Sequence, residues 1–552
     1  MRKFVQIAAA VGAILACLTV SAAAVDDNPT VKVGLYYGSS ALFSANLQNF
    51  AGSGYQFGYY DSGRNFVSLG STAETKISMT CDTNIYVSGG TYYDTVPTYS
   101  YSVIGAYHIQ LPQVYGTFAE AQQAAAAITA VPAFPAYVSG SFYVRAGNYQ
   151  TADAANAAML SLGVTGGTAV GNSSTGITVT RTTTTTILFE YDGGGNTQLA
   201  VLPNLDSSVK AVTWFKNIKY YGGFEYRRVS GGYITVINVL PMQDYIKGVI
   251  PYEMSPSWPL EALKAQAVCA RTYAVKSNSK HAKDGFDLCN TTDCQVYKGT
   301  NSANAVTDQA VDETCGMFVC YGGSLAETVY FSCDGGATED VQNVWGTSYP
   351  YLMGVEDPFE PVEKISGYYW NVTYTLDQLT ALLKEKGYTT GNITDVYVSE
   401  YTAMGNVLSV TFRDDWGKSY TFYRSGAKSI FYSSSLGKSL SSQRFSIAPA
   451  DGSVTLYVNG GTDTLGTVAE TYALRGDGTV GKLSGSGSST YVLSSTGLST
   501  LYTQGTARSF TVSGTGKGHN VGMSQWGAYG MASQGYTYDQ IIGYYYSGVN
   551  LD

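Results

Sequence analysis

The chain reads as an α+β protein of several domains, rich in β structure, and three observations carry that reading. Its 552 residues exceed what one ordinary core organises, so two or three domains are expected. Hydrophobic residues reach 44% against 13% charged, a balance that folds and buries a large core rather than staying disordered. Short Tyr, Val and Ile runs separated by Gly and Asn recur along most of the sequence, while helical periodicity is confined to a few stretches. The 47 tyrosines suit pleated surfaces and also supply flat rings with a polar tip, the kind of surface on which sugars stack.

Arg2 and Lys3 precede an apolar run from Phe4 to Val20, and Ser21-Ala22-Ala23-Ala24 follows, which is the layout of a secretory signal peptide over residues 1–24. Export to the cell wall or medium is therefore expected. A retained anchor is the other reading, against which the run is short and ends in an Ala-x-Ala site; Cys17 lies in a poor lipoprotein box. No other segment is apolar enough to span a bilayer, so no stable transmembrane anchor is expected. Cleavage after Ala24 leaves seven cysteines (81, 269, 289, 294, 315, 320 and 333), an odd number that leaves one unpaired or some bound to metal. The net charge of -9 provides no basic field, which argues against nucleic acid or anionic lipid as partner.

Val31 to Tyr37 alternates like a strand and opens a β region over residues 25–100. From 101 to 165 the pattern changes. Tyr107-His108-Ile109-Gln110-Leu111, a helical Thr117–Ile128 and an extended Phe134–Val138 are followed by Phe142–Gly147 and a second helical stretch, Ala152–Leu162, which together read as two βαβ halves. With Tyr143-Val144-Arg145-Ala146-Gly147-Asn148-Tyr149, this resembles the sporulation-related repeat (SPOR) domain, which implies binding of glycan strands stripped of stem peptides. A small α+β module without a glycan site has the same pattern. Residues 166–204 read as linker and strands, because Gly166–Thr186 is rich in Gly, Ser and Thr, whereas Ile187–Tyr191 and Leu199–Pro203 are strand-like. These flanking strands match the early ones in style, which suggests that the repeat is inserted in one β domain.

Residues 205–552 carry the chemistry. A strand over Tyr233–Leu240 leads to Glu253, expected on a loop between Pro251 and Pro256; a helix then starts near Ser257-Trp258-Pro259 and runs to about Lys276. Leu260, Leu263, Ala267 and Ala274 form an apolar stripe on it, and Arg271 falls within the stripe, so a guanidinium points inward and needs an anion or several carbonyls. Glu253, a substrate carboxylate or another structural acid could supply one. Cys289 and Cys294, with His281 upstream and Asp293 adjacent, could complete a tetrahedral zinc shell; a local disulfide is the alternative in an exported protein.

Val239–Met254 together with Trp258–Ala274 is similar to the core signature of the stage II sporulation protein D and LytB amidase-enhancer family. Asp287–Tyr297, Tyr330–Glu339 and Gly516–Ala528 resemble its three further blocks. The sequence departs from the pattern at Cys333-Asp334, where Ser is usual, at Asn520, which stands for Gly after His519, and at Asp293, where His often precedes the second Cys. The resemblance implies a lytic transglycosylase that cleaves denuded peptidoglycan between N-acetylmuramic acid and N-acetylglucosamine, leaving 1,6-anhydro ends, in cell-wall remodelling and sporulation. It makes Glu253 the acid/base, with apolar Ile250, Tyr252 and Met254 favouring its protonated form, and Arg271 its positioning or substrate-binding partner. A direct contact between the two would oppose that protonated form. It further implies substrate contacts at Gln266, Ser332, Glu339, His519 and Gln525, and no required cofactor. His519 as a merely packed side chain is the plainer reading. LytB-type members imply the rival function, a non-catalytic enhancer of an N-acetylmuramoyl-L-alanine amidase.

Overall fold

A computed structural model describes residues 28–450 and 509–552, except 183, 206–208 and 230–231; within 451–508 only short paired strands are described. The signal-peptide reading and Cys17 lie outside the described residues. Among those residues, no helix is long and apolar enough to cross a membrane. The described residues form two compact units, one within 28–256, 274–318 and 552, the other within 257–273 and 319–551.

The first unit is built on two large sheets. One has seven strands, in the order Leu288–Cys289, Thr30–Tyr36, Tyr233–Pro241, Gly223–Val229, Leu199–Pro203, Tyr55–Tyr60 and Phe66–Thr72. A boundary at residue 205 therefore cuts through a sheet: the early strand Thr30–Tyr36 pairs directly with Tyr233–Pro241 in one hydrogen-bonded ladder. From Ile234 to Leu240 every side chain is buried, as expected of a strand covered on both faces.

The second sheet has ten strands and contains the repeat. Phe118–Ala126 and Ala152–Ser161 are its helices, entered through Thr117, which forms a capping box with Glu120, and through Thr151. Four strands of the repeat lie in the order Thr168–Val170, Tyr107–Gln110, Ser141–Tyr149, Ala133–Val138. The last of them continues by parallel pairing into Ile187–Asp192, so the segment is merged with its flanks rather than separate. The face opposite the helices is closed at its centre. Arg145 Nη1 lies 2.6 Å from Glu190 Oε1, and His108, Arg145 and Glu190 are all buried. The Gly/Ser/Thr-rich stretch also holds a surprise for its linker reading, since Ile177–Arg181 is a strand buried over its first four residues. Thr178 and Thr180 are β-branched and fit a pleated interior once their hydroxyls are accommodated.

In the second unit, Tyr369–Thr375, Ser509–Thr515 and Phe445–Pro449 form one three-stranded sheet and Ile393–Tyr401, Val407–Asp414 and Ser419–Tyr423 another. Helix Leu376–Glu385, with a capping box at Thr375, buries Leu379, Leu382 and Leu383 in a core shared with Phe412, Phe431, Phe445 and Val512. The long helix Leu260–Lys276 contributes its residues through Tyr273 to this unit. Its interior is not a stripe. Ala262, Leu263, Ala265, Gln266, Ala267, Val268, Cys269, Ala270, Arg271 and Thr272 are all at 0% exposure, the pattern of a helix enclosed on every side.

Candidate functional site

Glu253 is the last residue of a short helix, Ile250–Glu253, and not part of a loop. The reason is Pro251. In the first turn of a helix its missing N–H costs nothing and its fixed φ is already helical, so it starts a turn where the sequence suggested a break. The preceding helix Met242–Lys247 ends at Gly248, where a Cβ would sit 2.4 Å from the Tyr297 ring. Tyr297 is buried, and its hydroxyl donates to Asn238 Oδ1 at 2.6 Å, which ties the 289–297 loop to strand Tyr233–Pro241. From that loop the Val296 N–H donates to Glu253 Oε1 at 3.1 Å. The half-buried carboxylate is thus oriented by a backbone group that the loop holds in place.

The same loop carries the cysteine group. Cys289 is set by parallel pairing of its strand with Gly34, and Asp287 accepts a two-pronged bond from Arg64 at 2.5 and 2.7 Å. One ligand atom each from His281, Cys289, Asp293 and Cys294 lies within 4.8 Å of the others. Cys294 Sγ is 3.4 Å from His281 Nε2, which is itself 3.4 Å from Asp293 Oδ2. His281 Nδ1 faces Asp284 Oδ2 at 3.6 Å, the outer carboxylate that metal-binding histidines usually have. Both sulfurs are free thiols. The hydrogen bond from Cys294 lowers Cys289 to about 4, while that bond and burial push Cys294 well up. Two sulfurs, an imidazole and a carboxylate are the donor set of a closed tetrahedral zinc site.

The remaining expected residues lie in the second unit. Arg271 is fully buried, as its place in the helix required, and Thr272 Oγ1 beside it accepts from Val319 N at 2.9 Å. Gln266 is also at 0% exposure, and neither end of its amide has a hydrogen-bond partner among the described residues. Glu339 is buried with its carboxylate fully engaged, by Asp340 N and Asn343 Nδ2 on one oxygen and by Thr402 Oγ1 and Asn406 Nδ2 on the other. His519 packs against Phe331 and Trp345, accepts from Val521 N at Nδ1 and reaches Tyr330 O from Nε2, so the proton sits on Nε2. Burial and the nearby Lys428 ammonium lower it to about 4, which keeps the ring neutral. Ser332 is half-buried and its carbonyl accepts from Trp526 N, while Gln525 is buried at the start of the helix Gln525–Ser533.

Two of the sequence departures prove to be partners. Asn520 adopts φ +65°, the left-handed region that asparagine tolerates best after glycine, and its Nδ2 donates to Asp334 O at 2.8 Å. Asp334 in turn belongs to a buried group with Asp357 and Glu360 whose ligand oxygens lie within 4.8 Å. Burial and the two neighbouring carboxylates hold Asp334 well above the usual carboxylate range. Asp357 and Glu360 had no local signal, since neither belongs to a motif. Trp258, Trp526 and Tyr529 were also missed as a set. Their half-buried rings gather with centroids 4.5 to 5.3 Å apart, joining the start of the long helix to the final block.

The profile of the family described as Stage II sporulation protein matches residues 230–321, the stretch that contains Glu253, Gln266, Arg271 and the cysteine group. An uncharacterized protein of Brachyspira hyodysenteriae is 31% identical over 336 residues, 60% of this chain and 72% of its own length. The amidase enhancer of Bacillus subtilis is 33% identical over 325 residues, 55% of this chain and 40% of that protein. Stage II sporulation protein D of Bacillus subtilis is 28% identical over 328 residues, 56% of this chain and 74% of that protein.

Proposed function

The chain belongs to the family of stage II sporulation protein D and the amidase enhancer, and on that premise we propose that it is an exported lytic transglycosylase acting on denuded peptidoglycan. The observation that carries the reading is Glu253, half-buried at a helix end within the family-matched stretch and oriented by the Val296 amide. One carboxyl group suffices for this reaction. As the acid, Glu253 gives its proton to the glycosidic oxygen while the C1–O bond of N-acetylmuramic acid breaks. As the base, it takes a proton from the C6 hydroxyl while that oxygen bonds to C1, which closes the 1,6-anhydro ring. No water is consumed, so the second carboxylate of a hydrolase has no task. Arg271 and Gln266, both fully buried, serve as positioning groups rather than substrate contacts in this reading, and the half-buried rings of Trp258, Trp526 and Tyr529 offer a surface for sugar stacking.

We place a structural zinc ion on His281, Cys289, Cys294 and Asp293. Its charge would hold both sulfurs as thiolates and fix the loop whose Val296 N–H orients Glu253. The 101–165 segment is proposed as a glycan-binding element that works within its larger sheet. A second reading rests on the relative named amidase enhancer: a protein that binds the wall and stimulates an N-acetylmuramoyl-L-alanine amidase without cutting glycan itself.

Purified protein and its Glu253→Gln variant, incubated with amidase-treated sacculi, separate these functions. The parent should release 1,6-anhydro muropeptides, and the variant should lose about a hundredfold to ten-thousandfold in rate while still binding. Equal rates would remove Glu253 from the chemistry. No product from either, with amidase activity raised by both, would establish the enhancer instead.

A further inference from the structure

The ten-stranded sheet carries, at the end away from the repeat, a groove of about 430 Å³ that no role has yet been given. It crosses four strands in register. Lys76 lies opposite Gln48, Gln48 opposite Trp214, and Trp214 opposite Lys219. Adjacent strands are about 4.8 Å apart, so this row is about 14 Å long, room for two or three pyranose rings.

The chemistry of the row is uneven in one respect. Lys76 and Lys216 line the groove, Lys219 stands beside it, and among the described residues none of the three pairs with an acid. In a protein of net charge -9, three unpaired ammonium groups on one surface are a local exception. Lys219 is held over Phe50, its Nζ 3.6 Å from the ring centroid, and Phe50 meets Trp214 edge-on at 5.8 Å. Trp214 therefore has a braced ring beside the cations. Asn46, Gln48 and Asn217 add exposed side-chain amides. A flat aromatic ring for the C–H face of a sugar, amides for hydroxyl and acetamido groups, and cations for an acid define an anionic amino-sugar strand.

We propose that this groove binds denuded glycan by the free lactyl carboxylates of its muramic acid residues. Stem peptides are attached through that carboxyl as an amide, which is neutral; amidase hydrolysis leaves a carboxylate on every second sugar. The lysines would then supply the preference for stripped over intact strands. This inference rests on the reading that the protein works on denuded glycan, but it concerns binding and is independent of whether the chain cuts.

The test uses the full-length Glu253→Gln protein, so that turnover does not consume the ligand. Glycan chains from amidase-treated sacculi are compared with the same chains capped at their carboxylates as methylamides. Capping should weaken binding about tenfold, and Trp214→Ala should do the same. A Lys76→Gln/Lys216→Gln double variant should lose several-fold at low salt and little at 0.5 M salt, where screening already removes the cations' contribution. All of these side chains are at least partly exposed, so folding is preserved. Equal affinity for capped and free chains, unchanged binding by the variants, or no binding by the parent would overturn the proposal. So would displacement of the glycan by a phosphate polymer of the teichoic acid type at lower concentration than by free glycan, which would assign the groove to phosphate. Absence of 1,6-anhydro product from the unsubstituted protein, with these binding differences intact, would count against the transglycosylase reading and leave the groove assignment standing.

Discussion

Gly527 is the third residue of the helix Gln525–Ser533, and a methyl group there has nowhere to go. A Cβ built on it would lie 1.9 Å from the Tyr545 hydroxyl and 2.1 Å from Asp357 Oδ2, two atoms already joined by a 2.6 Å hydrogen bond. Gly527→Ala must therefore push apart a buried hydroxyl and a buried carboxyl. Overpacking of this kind costs about 1–3 kcal/mol, and a buried donor and acceptor left without each other about 1–3 kcal/mol more. The gain in helix propensity returns about 1 kcal/mol, so a net loss of about 1–5 kcal/mol is expected. For a unit of this size each kcal/mol moves Tm by about 2–4 °C, which predicts a fall of roughly 2–20 °C. Gly543, exposed in the next helix, is the internal control, because a Cβ there meets nothing within 4 Å. Gly543→Ala should be neutral or raise Tm slightly. Thermal unfolding followed by circular dichroism decides the matter, and a Gly527→Ala protein as stable as the parent would show that the Tyr545–Asp357 contact is not close-packed.

Zinc analysis after mild purification should find one ion per chain, lost in Cys289→Ser; a Cys289–Cys294 linkage by mass with no metal would refute the site. Asn520→Gly should cost about 1 kcal/mol for its bond to Asp334 O, whereas Asn520→Ala should cost more, since it also places an alanine at φ +65°; equal melting temperatures would refute the role of the left-handed turn. Because His519 is lowered from 6.5 to about 4 in the folded chain, the unfolded chain binds the extra proton between those values. Stability should therefore be full above pH 6.5 and decline toward pH 4, by at most about 3 kcal/mol for this half-buried ring. His519→Gln should flatten that part of a urea-unfolding profile against pH, and an unchanged slope would assign the pH dependence to another group.

Elements governed by local chemistry were legible in the sequence. The alanine-rich Thr117–Ile128 announced a helix, the run Tyr233–Leu240 announced a strand, and the spacing around Cys289 and Cys294 announced a group that the fold does assemble. Arg271 was read correctly as buried from its place among alanines and leucines. Proline misled where its two preferences conflict, since it breaks a helix interior but starts a first turn, and at Pro251 the second applied. What no local pattern contained was pairing at long range. Asp334, Asp357 and Glu360 converge from separated segments, and Asn520 answers Asp334 from 186 residues away. The groove on the ten-stranded sheet joins residues 46–48, 76 and 214–217 through strand register alone. Capping and periodicity act within a few residues of the chain, so sequence by itself determines them; register and convergence depend on which apolar faces meet, and only the tertiary structure decides that.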